Sequence, residues 1–182
     1  MLNRANLAVM ATTRTSGGSS LVGWFFLASG VIYLLGLLFN NIVHALTGGF
    51  WDFFAFLLLA VGFFLLFLWR TGTLLRVAFI VAAVGWALLG IAQVATLGSG
   101  VVTIATLLAL IGTLVAGILV FVRHLFNRNA DIVFLLLAIF AALVLLGVIP
   151  GMTFLAGTIG LIFAVIFGIL LVVAGLFIQR RR

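Results

Sequence analysis

Hydrophobic residues in this chain do not alternate with polar ones. They come in long unbroken blocks separated by short polar breaks. Six blocks stand out, at 21–39, 50–69, 74–95, 101–122, 131–149 and 152–178. A helix needs about 20 apolar residues to cross the hydrocarbon of a bilayer, and each block has about that length. A membrane-barrel strand is half as long and alternates, so the blocks do not read as strands. The breaks at 70–73 and 96–100 read as tight turns, 123–130 as a slightly longer polar link, and Pro150-Gly151, with the only proline, as the turn before the last block. The pattern predicts an all-α integral membrane protein built as a six-transmembrane-helix bundle. Residues 1–20 are more polar and are expected to form an N-terminal tail, with a short amphipathic piece at 2–10 as the alternative. A single membrane domain, 21–182, follows. The first block exceeds the roughly 7–15 residues of a signal-peptide core and is expected to be a retained span.

Composition agrees with the pattern. The chain has 182 residues, 67% hydrophobic and 6% charged, against about 25% charged in soluble domains. So few charges cannot cover a water-facing surface. Cysteine is absent, which excludes disulfides, thiolate metal sites and cysteine nucleophiles. All nine basic residues are arginine, and they lie at block ends: Arg4, Arg14, Arg70, Arg76, Arg123, Arg128, Arg180, Arg181 and Arg182. Six spans put every one on the same side. The positive-inside rule makes that side cytoplasmic, with both termini. Nucleic acid is therefore not an expected partner despite the net charge of +7. Arginine without lysine, amid many Gly and Ala, fits a GC-rich microbial genome and a prokaryotic plasma membrane.

Cutting at the cytoplasmic arginines leaves three hairpins, 21–70, 74–123 and 131–180, each 50 residues long. A Leu-Leu-Gly triplet closes the first half of each, at Gly36, Gly90 and Gly147. An internal repeat with pseudo-threefold character is expected.

Chemistry-bearing residues are sparse. Asn40, Asn41, His44 and Asp52 cluster between the first two blocks, and Gln93 is the only amide deep in a run. Together they form a candidate polar cluster on the arginine-free side, with Thr96, Thr103 and Thr106 as possible neighbours. The cluster does not reach the three or four ligands of a metal site. Asp52 and Asp131 have a simpler role as acids at helix N-termini. His124 beside Arg123 reads as a solvated residue at headgroup level. No acid or base lies mid-span, where proton-coupled transport places one, and no nucleophile has a base beside it. Neither an enzyme nor a bound cofactor is expected. The last block carries Ala156, Gly160, Ala164 and Gly168 at a spacing of four, a candidate helix-packing ridge. Similar pairs occur at Ala78/Ala82, Ala105/Ala109 and Ala138/Ala142.

The threefold hairpin plan, six spans in 182 residues and the glycine-ended helices resemble the HdeD-type membrane proteins. Gly147-Val148-Ile149-Pro150-Gly151 is similar to the glycine-to-proline turns of that family's repeats, although the first two hairpins lack the proline. The resemblance implies an envelope or acid-stress role and no catalytic residue. Separately, Asn41-Ile42-Val43-His44-Ala45-Leu46-Thr47-Gly48 is similar to a His-containing motif of small uncharacterised actinobacterial membrane proteins, without the second histidine of that motif. The expected function is that of a non-enzymatic structural or accessory membrane protein. Its partners would be lipids, copies of itself (a homo-oligomer) or a larger membrane complex. The alternative is the small-solute-binding component of a transporter.

Overall fold

The computed structural model describes residues 4–39, 49–69, 72–148 and 157–180. Their regular structure is helical throughout: α1 (Arg4–Leu38), α2 (Phe50–Trp69), α3 (Thr73–Val94), α4 (Ser99–Arg123), α5 (Arg128–Val148) and α6 (Gly157–Gln179). Each holds a stretch long and apolar enough to cross a membrane. In α1 that stretch is Ser20–Leu38, and the helix runs on N-terminally to Arg4 through the residues expected to be a tail.

The helix ends follow from local hydrogen bonding. The Phe53 N–H donates to the Gly49 carbonyl at 2.8 Å, starting α2. Helix α4 stops at His124, which adopts a left-handed conformation with φ 48°. The N–H groups of His124 and Leu125 then donate to the carbonyls of Phe121 and Val120, a helix-terminating arrangement that usually favours glycine. Helix α5 begins three residues before the apolar block. Asn127 caps it, with Oδ1 accepting the Ala130 N–H at 2.7 Å. Asp131 lies in the first turn, as expected of an acid. Its Oδ1 also accepts the Phe126 N–H at 2.9 Å, tying the turn to the helix. A buried acid bound to a backbone donor is compatible with an apolar surround, because the polar groups satisfy each other.

The six helices form a ring in chain order. Each packs on its sequence neighbours, and α1 closes the circle against α6. Close approach requires glycine at several crossings, Gly117 of α4 on the Phe134 carbonyl of α5 among them, and two others show the helix direction. Gly30 of α1 meets the backbone of Gly168 and Val172 in α6. Between α3 and α4, Gly85 sits on the backbone of Ala109 while Gly112 sits on that of Ala82. Partner numbers fall as residue numbers rise, so both crossings are antiparallel. The pairs Ala78/Ala82 and Ala105/Ala109 are buried at this second crossing. Arg76, Arg123, Arg128 and Arg180 are exposed at one end of the ring.

One junction differs from the rest: α5 and α6 touch far less than any other neighbours. The third hairpin is therefore splayed where the first two are closed. Gly36 and Gly90 also meet unlike surroundings. Gly36 lies on Trp51 of its own hairpin, whereas Gly90 lies on Phe53 and Phe56 of the preceding one.

Candidate functional site

Ring packing leaves the axis to be filled by side chains, and the two halves are filled differently. In the half that carries the arginines, large aromatics plug the centre. Phe26 of α1 packs edge-on against Phe63 of α2, with centroids 5.2 Å apart, and against Phe134 of α5 at 5.6 Å. Phe134 stacks on Phe126 at 5.4 Å. Phe26, Phe63, Phe79 and Phe134 have almost no exposed surface.

The arginine-free half holds a cavity of about 260 Å³ instead. All six helices contribute to its wall: Tyr33 from α1, Phe56 from α2, Trp86 and Leu89 from α3, Thr106 and Leu110 from α4, Phe140 and Val144 from α5, and Gly160, Phe163, Ala164 and Phe167 from α6. The lining is apolar except for the Tyr33 and Thr106 hydroxyls and the Trp86 indole N–H. The Thr106 hydroxyl donates to the Val102 carbonyl of its own helix at 2.8 Å.

The cavity wall is held in place by specific contacts. The buried Trp86 N–H donates to the Thr113 hydroxyl at 3.0 Å, joining α3 to α4. The same indole stacks on Phe167 at 5.4 Å and meets Phe56 at 5.1 Å. Tyr33 stands edge-on to Phe167 at 5.6 Å. Nearby, the Ser29 hydroxyl donates to the Ala55 carbonyl at 2.8 Å and joins α1 to α2. Interhelical bonds of this kind orient helices where water does not compete. The wall is thus preformed, as small-molecule sites usually are.

Chemically, such a space selects for lack of charge. Moving an ion into it would cost many kcal/mol without a partner, and no acid or base lines it. Size can be scaled from a known case: benzene fills an engineered apolar cavity of about 150 Å³, so about 260 Å³ suits a guest of about ten non-hydrogen atoms.

Of the polar cluster singled out in the sequence, Asn40, Asn41 and His44 lie outside the described residues. Asp52 is half-buried in the first turn of α2, where the helix-dipole role places it, and it neighbours Gly36. Gln93 is exposed, although its carbonyl touches Gly49 across the α2–α3 end. Neither side chain lines the cavity, and of the three threonines only Thr106 does. On α6, Ala156 is outside the described residues, Gly160 and Ala164 form cavity wall, and Gly168 lies against Leu34 and Tyr33 of α1. The described part of this ridge thus faces the bundle. Among the described residues no three His, Cys, Asp or Glu side chains gather.

A second hollow, of about 710 Å³, opens at the arginine-bearing end between α4 and α5. His124 and Arg128 stand at it, with Asp131 and apolar residues behind. His124 is exposed, and its Nδ1 lies 3.8 Å from the buried Asp131 Oδ2. Asp131 is engaged by the turn it stabilises, so this hollow reads as a helix junction.

Sequence reasoning passed over Tyr33, Trp86, Thr113 and the phenylalanines of α5 and α6. A signal was present: Tyr and Trp favour the ends of spans, whereas Tyr33 and Trp86 sit well inside theirs. No protein-family model matches the chain, and no curated protein or solved structure is significantly similar to it.

Proposed function

We propose that this chain is a non-enzymatic integral membrane protein that holds a small uncharged apolar molecule in the cavity between its six helices. The observation that carries this is the contrast between the two halves of the axis: plugged by Phe26, Phe63 and Phe134 on one side, hollow and aromatic on the other. A structural bundle has no reason to leave one half unfilled, since each buried void loses dispersion contacts. A site that receives a guest does. This keeps the solute-binding function and changes its chemistry from polar to apolar. We place the protein in a prokaryotic plasma membrane with the arginine-bearing end cytoplasmic, following the positive-inside rule. The cavity then opens in the outer leaflet half.

The test uses Trp86 as the only tryptophan, with Trp24, Trp51 and Trp69 replaced by Phe. Bromocyclohexane, an optically clear heavy-atom quencher, is added to the protein in phosphatidylcholine vesicles. Saturable quenching of Trp86 is expected, weakened at least fivefold by Ala164→Phe, which fills the cavity. Quenching that is linear in probe and indifferent to Ala164→Phe defeats the proposal.

A second reading, an accessory subunit or homo-oligomer, is favoured by one other feature. An apolar groove of about 340 Å³ runs between α2 and α3, lined by Val61, Phe64, Ile80 and Val84 among others. Either an acyl chain or a partner helix suits it. Crosslinking in native membranes distinguishes them: a protein recovered only as an isolated monomer removes the accessory role.

A further inference from the structure

We propose that the α5–α6 seam is a lateral portal, through which the apolar guest passes between the surrounding acyl chains and the central cavity, with Phe140 and Phe163 as its gate. This rests on the reading of the cavity as a binding site and adds the route by which it fills.

The first observation is the uneven ring. Elsewhere the helices approach closely, down to backbone contact at Gly30 on α6 and at Gly112 on Ala82. A guest cannot pass such crossings without pulling helices apart. Among the described neighbouring helices, only α5 and α6 are spread. The second observation is what fills the spread. Phe140 of α5 and Phe163 of α6 face each other with centroids 5.7 Å apart, and Phe140 also stacks on Phe167 at 5.1 Å.

The third observation is continuity. A groove of about 280 Å³ runs along the outside of the seam, lined by Leu136, Ile139 and Leu143 of α5 and by Ile166 and Leu170 of α6. Phe140 and Phe163 line both this groove and the central cavity. Among the described residues, these two rings are what separates lipid-facing groove from cavity at this level. Both are half-buried, and ring contacts of this kind contribute about 0.5–1.5 kcal/mol each. Rotamer changes that break them are small events beside helix separation. The groove lining is wholly apolar, which suits a guest already dissolved among acyl chains. Entry by this route avoids transfer through water.

The chain contains no cysteine, so the seam can be locked in the single-Trp86 protein. Ile139→Cys and Ile166→Cys, both exposed groove residues on facing helices, are bridged by a short bifunctional thiol reagent with a cleavable disulfide. Stopped-flow quenching of Trp86 by bromocyclohexane is then followed in phosphatidylcholine vesicles. Bridging before the probe is added is expected to slow quenching at least tenfold, with reduction restoring the rate. Bridging after loading is expected to retain the quench when the probe is removed. Phe140→Ala is expected to accelerate both entry and exit. Unchanged rates in the bridged protein overturn the portal and leave the cavity reading standing, with entry from the arginine-free end as the route. Absence of saturable quenching in the unbridged protein, or indifference to Ala164→Phe, overturns the cavity reading itself.

Discussion

Gly30→Ala tests whether the ring is closed by backbone contact between α1 and α6. A Cβ at this position would lie 2.7 Å from the Val172 nitrogen and 2.8 Å from the Gly168 carbonyl oxygen. Ordinary contact begins at 3.4 Å, so the two helices must part by about 0.7 Å, enough to forfeit a quarter to a half of the dispersion well for the atoms concerned. Overpacking of this kind costs about 1–3 kcal/mol. Alanine's better helix propensity offsets up to about 1 kcal/mol of it. The net expectation is a loss of about 1–2 kcal/mol, a five- to thirtyfold shift in the unfolding equilibrium. Gly168→Ala should cost less, because its Cβ would meet the Leu34 side chain at 2.6 Å, and a leucine can turn aside where backbone cannot. The double variant should fall short of the sum, since both act on one crossing. Gly98→Ala, with nothing within 4 Å, serves as the control. Reversible unfolding in mixed micelles, read by far-UV circular dichroism, gives the numbers. A Gly30→Ala protein as stable as the Gly98→Ala control would refute the close crossing.

Four further outcomes are expected. Thr113→Val should destabilise the bundle by about 0.6–1.7 kcal/mol by removing the acceptor of the Trp86 N–H, and a double-mutant cycle with Trp86→Phe should show coupling; additive effects would mean the bond contributes nothing. Asp131→Ala should cost about 1–3 kcal/mol because the buried Phe126 N–H loses its acceptor, with faster hydrogen exchange at Phe126, while Asp131→Asn, which keeps an acceptor, should cost less. His124→Gly should raise the melting temperature, since it relieves a left-handed conformation that costs a side chain about 1–2 kcal/mol; a fall instead would show that the histidine contributes through its contacts. Single cysteines at Gly98 and Asn129, both exposed at opposite ends, should label from opposite faces of intact cells, Gly98 from outside; labelling of both from one face would break the six-span topology.

Much of the architecture was legible in the residue order, because apolar length is a one-dimensional property. A run of about 20 apolar residues is helical in lipid wherever it occurs, since every backbone group must be satisfied within the segment. The starts of α2 and α3 and the end of α4 fell within a residue or two of the blocks. The start of α5 did not, because Asn127 and Asp131 draw Arg128, Asn129 and Ala130 into the helix. The arginine pattern likewise sorted the helix ends without any knowledge of packing.

What only the tertiary structure decided is which faces meet. In an apolar bundle nearly every face is hydrophobic, so sequence periodicity does not mark the inside. The polar residues that drew notice, Asp52 and Gln93, stay at the helix ends. The cavity is instead built from aromatics spread over six helices, from Tyr33 to Phe167, and no local spacing brings them together. Whether a phenylalanine plugs the axis, as Phe26 does, or guards a hollow, as Phe140 does, depends on how closely neighbouring backbones approach. Close glycine contact at the α1–α6, α3–α4 and α4–α5 crossings helps set that distance, whereas α5 and α6 touch far less.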